Sequence, residues 1–306
     1  MKAVVEERGL RLKLPATSAN LGPGFDAAGM AMSMHLTVEA HRAPTWQIHA
    51  TGRDAALVGS LENNLIVETF KSVLEYAGIK APALRLTIHN EIPLGMGCGS
   101  SAAALCAGVA LADHFGGLHL GDHGIVTEAS VREGHPDNVA ACWLGGFTVS
   151  AMTERGVEVA TFPGDSTWEM LLAVQPTSLA TKKARALLPE QYSKPDTIFN
   201  VQRVALLVSA FAQKRLDLLR SAMEDRMHQP YRQDACPLLK TLLPLTTEPQ
   251  IAGVALSGAG PSVLVVLQTG TTLLEAETRI VALAGPDVEV LPVRIGGGTE
   301  RVVLSK

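Results

Sequence analysis

The chain has 306 residues, 47% of them hydrophobic and 18% charged, with a formal net charge of −4, which is length enough for two domains or one large one with a substantial core. Mild acidity without any Lys/Arg block argues against nucleic acid or an acidic membrane surface as a partner. Four cysteines (Cys98, Cys106, Cys142 and Cys236) show no CxxC or zinc spacing, and neither a membrane-length apolar run nor a signal-peptide core is present, so a cytoplasmic protein with reduced thiols is expected.

Residues 10–14 alternate apolar and basic side chains, the period of a half-buried strand, and a Gly/Pro/Asn-rich loop over 18–24 follows. The next strands are predicted at 34–41 and 46–51, divided by Pro44. Over 64–76, apolar residues at 65, 66, 67, 70, 73 and 74 give a helical period closed by Gly78. A strand at 84–90 leads to a glycine loop and an Ala-rich helix over 102–115. A further helix runs from about 122 to 132 and stops at Gly134, and strands at 147–152 and 157–161 read as a hairpin. In the second half, a strand at 171–174 precedes helices at 181–188, 197–213 and 216–227. Short strands at 254–256 and 263–267 flank a turn over 257–262. A helix at 273–284 and strands at 288–293 and 302–304 close the chain. The pattern is α+β in two halves joined near Gly164, with domains expected at 1–163 and 164–306.

The most informative stretch is Pro93-Leu94-Gly95-Met96-Gly97-Cys98-Gly99-Ser100-Ser101-Ala102-Ala103. Glycines at every second position leave backbone N–H groups free to close on an anion. Ser100 and Ser101 are expected to act as N-cap residues, and the helix start beyond them favours phosphate. Lys-Ser/Thr does not follow the glycines, and their spacing does not fit a dinucleotide loop, so neither familiar nucleotide pattern applies.

A second cluster, Glu133-Gly134-His135-Pro136-Asp137-Asn138, crowds polar side chains into a Gly/Pro-broken loop. A carboxylate there, with a serine hydroxyl, would make a hard oxygen pair suited to Mg²⁺. The alternative is a surface loop in which Asp137 or Asn138 caps the next helix. Thr17-Ser18-Ala19-Asn20-Leu21-Gly22-Pro23-Gly24-Phe25-Asp26 and Ser257-Gly258-Ala259-Gly260-Pro261-Ser262 each read, taken alone, as a turn, although the second could bring more amides to the same phosphates.

Taken together and in this order, the four loops resemble those of the GHMP kinases, whose phosphate loop has the form Pro-x-x-x-Gly-Leu-Gly-Ser-Ser-Ala. The narrower resemblance is to the branch that phosphorylates L-homoserine, and it extends over nearly the whole chain. It is carried by the Thr17 and Glu133 clusters, by Thr181-Lys182-Lys183-Ala184-Arg185, by Asp225-Arg226-Met227-His228-Gln229-Pro230-Tyr231-Arg232 and by the Ser257 turn. It implies a two-domain α+β GHMP kinase fold with ATP and substrate meeting in the inter-domain cleft.

By that resemblance, the stretch from Pro93 to Ala103 wraps the ATP phosphates, with Gly258 and Gly260 beside them. Asn64 would contact adenine or shape its pocket, and Ser101 and Glu133 would hold Mg²⁺. Asn20, Asp26, His135, Asn138, Thr181, Arg185 and Arg232 would line the substrate pocket, with Asp26 facing an ammonium and the two arginines a carboxylate. Asn138 would orient the attacking hydroxyl, with His135 and Asp137 in support and no strong base. The product, O-phospho-L-homoserine, would belong to threonine biosynthesis, and since members often dimerise a homodimer is an expected assembly. Cys98 stands where the family usually has Leu, and Ala141 where Pro is common. Two alternatives stand beside this reading. A GHMP kinase for mevalonate, galactose or a sugar-alcohol phosphate would need no ammonium–carboxylate clamp. A non-catalytic member would lack the metal and phosphate groups that Ser101, Glu133 and the glycines supply.

Overall fold

The computed structural model describes residues 8–177 and 181–305, the side chain of Thr181 excepted. The chain opens with β1 (Leu10–Asn20), β2 (Gly24–Arg42) and β3 (Gln47–Gly52). The short helix α1 (Ala55–Val58) and α2 (Leu65–Tyr76) then lead to β4 (Leu84–Asn90), which pairs with β3 in parallel. The helices α3 (Ser100–Gly116), α4 (Gly121–Glu133) and α5 (Asp137–Leu144) precede the hairpin β5 (Phe147–Thr153) and β6 (Gly156–Phe162). Strict alternation of buried and exposed residues in β4 leaves one face of this sheet to the helices, and α3 is buried nearly all round because it lies among α2, α4 and α5.

The second half holds β7 (Met170–Val174), α6 (Thr181–Arg185), α7 (Lys194–Ala212) and α8 (Leu219–Ala222). It continues through α9 (Gln229–Arg232), α10 (Pro237–Leu242), β8 (Ile251–Leu256), β9 (Val263–Leu267), α11 (Leu273–Ala284), β10 (Glu289–Val293) and β11 (Glu300–Val303). Strands β10, β7, β9 and β8 form an antiparallel sheet in that order. Its central strands are apolar without alternation because both faces are covered. Met170, Leu172 and Val174 of β7 enter the large core shared with the first half, whereas Leu171 and Ala173 enter a smaller core with Leu239 and Leu242 of α10 and Ile280 of α11.

Three differences from the sequence reading matter for the site. The loop expected at 18–24 shrinks to a tight reversal at 21–23, since β1 stays paired as far as Asn20, which meets Gly24 at the start of β2. The helix expected at 216–227 is only a 3₁₀ turn plus α8, because Asp225 accepts the N–H groups of Met227, His228 and Gln229 and so organises a separate turn leading into α9. Finally, β11 crosses back to pair antiparallel with β1, so the first sheet takes a strand from beyond the division expected at 163/164. Pairing at that sequence separation leaves no local signal.

Candidate active site

The reversal after β1 has an unusual backbone. Asn20, Leu21 and Gly22 lie at φ of 68°, 46° and 88°, and Asp26 at 56°. Left-handed conformations at non-glycine residues are uncommon and concentrate where the surroundings enforce them. Here Asn20 Oδ1 accepts the Asp26 N–H at 3.1 Å, and its Nδ2 donates to the Gly258 carbonyl at 2.8 Å. The Asn20 amide therefore ties the first half to the late turn and sets the backbone of Asp26.

The glycine loop is moulded against that same late turn. Ser257 donates its hydroxyl to the Gly97 carbonyl at 2.7 Å, and the Ser262 N–H donates to the Met96 carbonyl. A Cβ on Gly97 would stand 2.2 Å from the Ser257 carbonyl oxygen, and one on Gly99 would stand 1.8 Å from Thr17 Oγ1. Both glycines have positive φ, so backbone and space each require glycine. Gly99 is itself the N-cap of α3, and α3 has no side-chain cap. Ser100 and Ser101 are thus the first helical residues rather than caps, and with Gly99 they bring the start of a 17-residue helix to the wall of the cleft. Ser101 instead donates its hydroxyl to Glu133 Oε2 at 2.8 Å. Burial raises the pKa of Glu133 against the opposing effects of the Ser101 hydrogen bond and of His135.

From the loop a chain of side chains leads into the cleft. Thr17, fully buried, donates to Asn138 Oδ1 at 2.7 Å, and Asn138 Nδ2 donates to Asp137 Oδ1 at 3.3 Å. The same Asp137 oxygen accepts the Asn138 N–H at 2.7 Å and meets His135 Nδ1 at 2.6 Å. Burial acts to lower the His135 pKa, but the Asp137 hydrogen bond and the negative charges of Asp137, Glu133 and Asp26 outweigh it and hold the pKa above 6.5. Asp26, His135 and Asp137 offer atoms within 4.8 Å of one another. Asp26 is paired with Arg185, and Asp137 Oδ1 accepts from Asn138 and meets His135. Sequence reasoning names Thr17 only as the start of a cluster and gives it no role of its own, because its partner Asn138 is 121 residues away.

Opposite this chain, Arg185 donates from Nη1 and Nη2 to the two oxygens of Asp26, each at 2.8 Å. Arg232 is 1% exposed and forms no ion pair among the described residues. Both guanidinium carbons lie over the Phe25 ring, at 5.3 Å for Arg185 and 5.4 Å for Arg232. Burial, with the neighbouring Arg185 charge, lowers the Arg232 pKa.

Asn20, Asp26, Glu133, His135, Asp137, Asn138, Arg185, Arg232 and Gly258 line one cavity of about 220 Å³ together with Gly95, Gly97, Cys98, Gly99, Ser100 and Ser101. A second, more apolar cavity of about 630 Å³ shares Gly95, Ser100 and Ser101 with it and is walled by Leu36, Leu57, Val58, Leu65 and Ile66. Its size suits a nucleoside. Asn64 borders this cavity, yet its amide is occupied by the protein. Nδ2 donates to the carbonyls of Val58 and Ser60, and Oδ1 caps α2 at Val67, so Asn64 shapes the wall. Leu94 lines the same space.

Several expected contacts lie elsewhere. Ala102 and Ala103 are buried inside α3, and Pro93 and Met96 face a separate groove beside Arg53 and Glu289. Gly260 packs near Leu256 and Cys236. The Cys98 thiol turns toward the Met96 carbonyl and Ser262 Oγ, and burial pushes its pKa up to about 12. The side chain of Thr181 lies outside the described residues.

The model of the GHMP kinases N terminal domain matches residues 64–146, and that of the GHMP kinases C terminal domain matches residues 207–282. The chain is 45% identical to the homoserine kinase of Solibacter usitatus over 92% of each chain. It is 38% identical to a homoserine kinase of Thermus thermophilus, covering 94% of this chain and 97% of that one. Homoserine kinase from Cytophaga hutchinsonii has the same fold at a TM-score of 0.78 and 24% identity, covering 96% of this chain and 98% of that one. The mevalonate kinase of L. major, in complex with R-mevalonate, shares the fold at a TM-score of 0.69 and 15% identity, covering 95% of this chain and 96% of that one.

Proposed function

The chain belongs to the GHMP kinases and within them to the homoserine kinases, and from that membership we propose how its cleft transfers the γ-phosphoryl group of ATP to the hydroxyl of L-homoserine. The product is O-phospho-L-homoserine, an intermediate of threonine biosynthesis. The observation that carries the acceptor side is Arg232, a buried guanidinium that lines the cleft with no carboxylate paired to it among the described residues. A zwitterionic amino acid supplies the missing carboxylate, where a charge-assisted bidentate contact is strong. Its ammonium is assigned to Asp26.

The nucleoside is assigned to the apolar cavity and the phosphates to Gly95, Gly97, Gly99 and the uncapped start of α3. Ser101 Oγ and Glu133 Oε2 meet in a 2.8 Å hydrogen bond, both are hard oxygen donors, and these are the two residues that would hold Mg²⁺. A bound Mg²⁺ would neutralise phosphate charge as it develops. Phosphoryl transfer proceeds through a loose transition state, so alignment and charge stabilisation outweigh base strength. Asn138 orients the acceptor hydroxyl from an amide held at both ends, by Thr17 and by Asp137. Asp137 is a support rather than a free base, since the oxygen nearest Asn138 already accepts from the Asn138 N–H and meets His135.

The reading includes a cytoplasmic homodimer. Among the described residues no helix is long and apolar enough to cross a membrane, and light scattering tests the assembly. ADP release measured with homoserine, serine, threonine, mevalonate and galactose tests the activity. Homoserine should be preferred by a wide margin and should require Mg²⁺. Equal or better turnover of mevalonate or galactose would overturn the assignment.

A further inference from the structure

Arg232 is held by an imidazole that has no place in phosphoryl transfer. We propose that His228, as the neutral Nε2–H tautomer, is a positioning residue that aims the Arg232 guanidinium at the substrate carboxylate and so sets the amino-acid specificity of the cleft. This rests on the homoserine reading above.

His228 is fully buried, with Nδ1 at 3.1 Å from Arg232 Nη1 and Nε2 at 2.7 Å from the Gly22 carbonyl. An arginine nitrogen can only donate, so Nδ1 must be the accepting nitrogen and the ring proton must sit on Nε2, where the carbonyl receives it. The two contacts fix the tautomer without reference to titration. Arg232 Nε donates to the Ala184 carbonyl at 3.3 Å, and Phe25 lies 5.4 Å from both the Arg232 guanidinium carbon and the His228 ring centre. Nη2 makes no hydrogen bond among the described residues and is left for a ligand.

The partners of His228 explain why an imidazole is needed. Gly22 belongs to the strained reversal that presents Asp26, and Arg232 ends α9, a turn organised by Asp225. One ring thus spans from the ammonium side of the pocket to its carboxylate side and sets their separation. An apolar filler could occupy the volume but could make neither contact, and a buried imidazole is costly without partners.

The test compares His228→Leu, which removes both contacts, with His228→Asn, whose Oδ1 can still accept from Arg232. Steady-state kinetics would use homoserine and 3-aminopropanol, which has the amine and hydroxyl but no carboxylate. His228→Leu should raise the homoserine KM by about tenfold or more, the scale of a lost hydrogen bond to a charged group. The ATP KM and the efficiency with 3-aminopropanol should change much less, and His228→Asn should recover most of the loss. Proportionate losses on both acceptors, or no rise in homoserine KM, would overturn the proposal. Nitrogen-15 NMR of the wild-type imidazole is independent of any substrate and of how the variants fold. An unprotonated Nδ1 and a protonated Nε2 are expected, and a proton on Nδ1 would overturn the proposal. Failure of wild-type protein to phosphorylate homoserine, with the tautomer as expected, would overturn the substrate reading and, with it, the specificity role.

Discussion

Arg185 closes on Asp26 through two parallel hydrogen bonds of 2.8 Å, one to each carboxylate oxygen, across the boundary between α6 and β2. Two groups suited to opposite ends of a zwitterion therefore satisfy each other, while Arg232 stays available. Arg232→Met should raise the homoserine KM by roughly 30- to several-thousand-fold, the equivalent of about 2–5 kcal/mol for one partner of a desolvated charge pair. Arg185→Met should have a smaller effect, since homoserine no longer has to part the Asp26 pair. Steady-state kinetics with each substrate varied at saturating levels of the other decides it, and an equal rise in the ATP KM would assign both arginines to the nucleotide or the fold.

Ser101 and Glu133, joined by a hydrogen bond of 2.8 Å, are the pair proposed to hold Mg²⁺. Ser101→Ala and Glu133→Gln should each reduce turnover by more than about tenfold and shift the Mg²⁺ concentration for half-maximal rate upward, because each removes a hard oxygen ligand. Titration of activity with Mg²⁺ is the measurement, and wild-type response in both variants would remove these two residues from the metal site.

Gly99→Ala would drive a methyl group into the Thr17 hydroxyl and toward Asn138 Oδ1, where a Cβ would lie at 1.8 and 3.2 Å. The amide of Asn138 would lose its anchor. We expect kcat to fall by about 10²-fold, as misplacement near 1 Å can do, with a smaller change in homoserine KM. Thr17→Val should behave similarly and Thr17→Ser should retain activity.

The Cys98 thiol, with its pKa pushed up to about 12 and almost no exposure, should be inert although it sits in the glycine loop. All four cysteines are buried. A chromogenic disulfide reagent at pH 8 should label the native protein far more slowly than the unfolded chain and leave activity intact over the same interval. Rapid loss of activity on labelling Cys98 would show that the loop opens.

His135 carries the pH prediction. Its folded pKa is raised above 6.5 by Asp137 and the neighbouring acids, so the protonated ring stabilises the fold fully below pH 6.5. That contribution fades as pH rises through the raised value. His135→Asn should therefore lower Tm most near pH 6 and progressively less toward pH 9. A difference in Tm that is constant across this range would mean that His135 is neutral in the folded protein.

Local chemistry is legible in the sequence by itself. The turn chemistry at Gly95, Gly97 and Gly99, the helical period of α2 and the boundaries of α11 depend on neighbours a few residues away, and these elements form where the sequence places them. The α+β class is legible in the pattern of elements, and the kinase reading in the resemblance of four loops, taken in order, to those of the GHMP kinases. What only tertiary structure decides is the use to which each polar atom is put. Asn20 suits a ligand contact by type, yet the Gly258 carbonyl, 238 residues away, takes its Nδ2, whereas the amide of Asn64 is taken by its near neighbours Val58, Ser60 and Val67. Thr17 and His228 lie in stretches that carry the family resemblance, but what each does is set by Asn138 and Gly22, residues 121 and 206 positions away that folding brings near. The return of β11 to β1 has the same origin. A buried hydrogen bond is satisfied by whichever donor and acceptor the packing brings within about 3 Å, and that distance is a property of the folded chain rather than of its order.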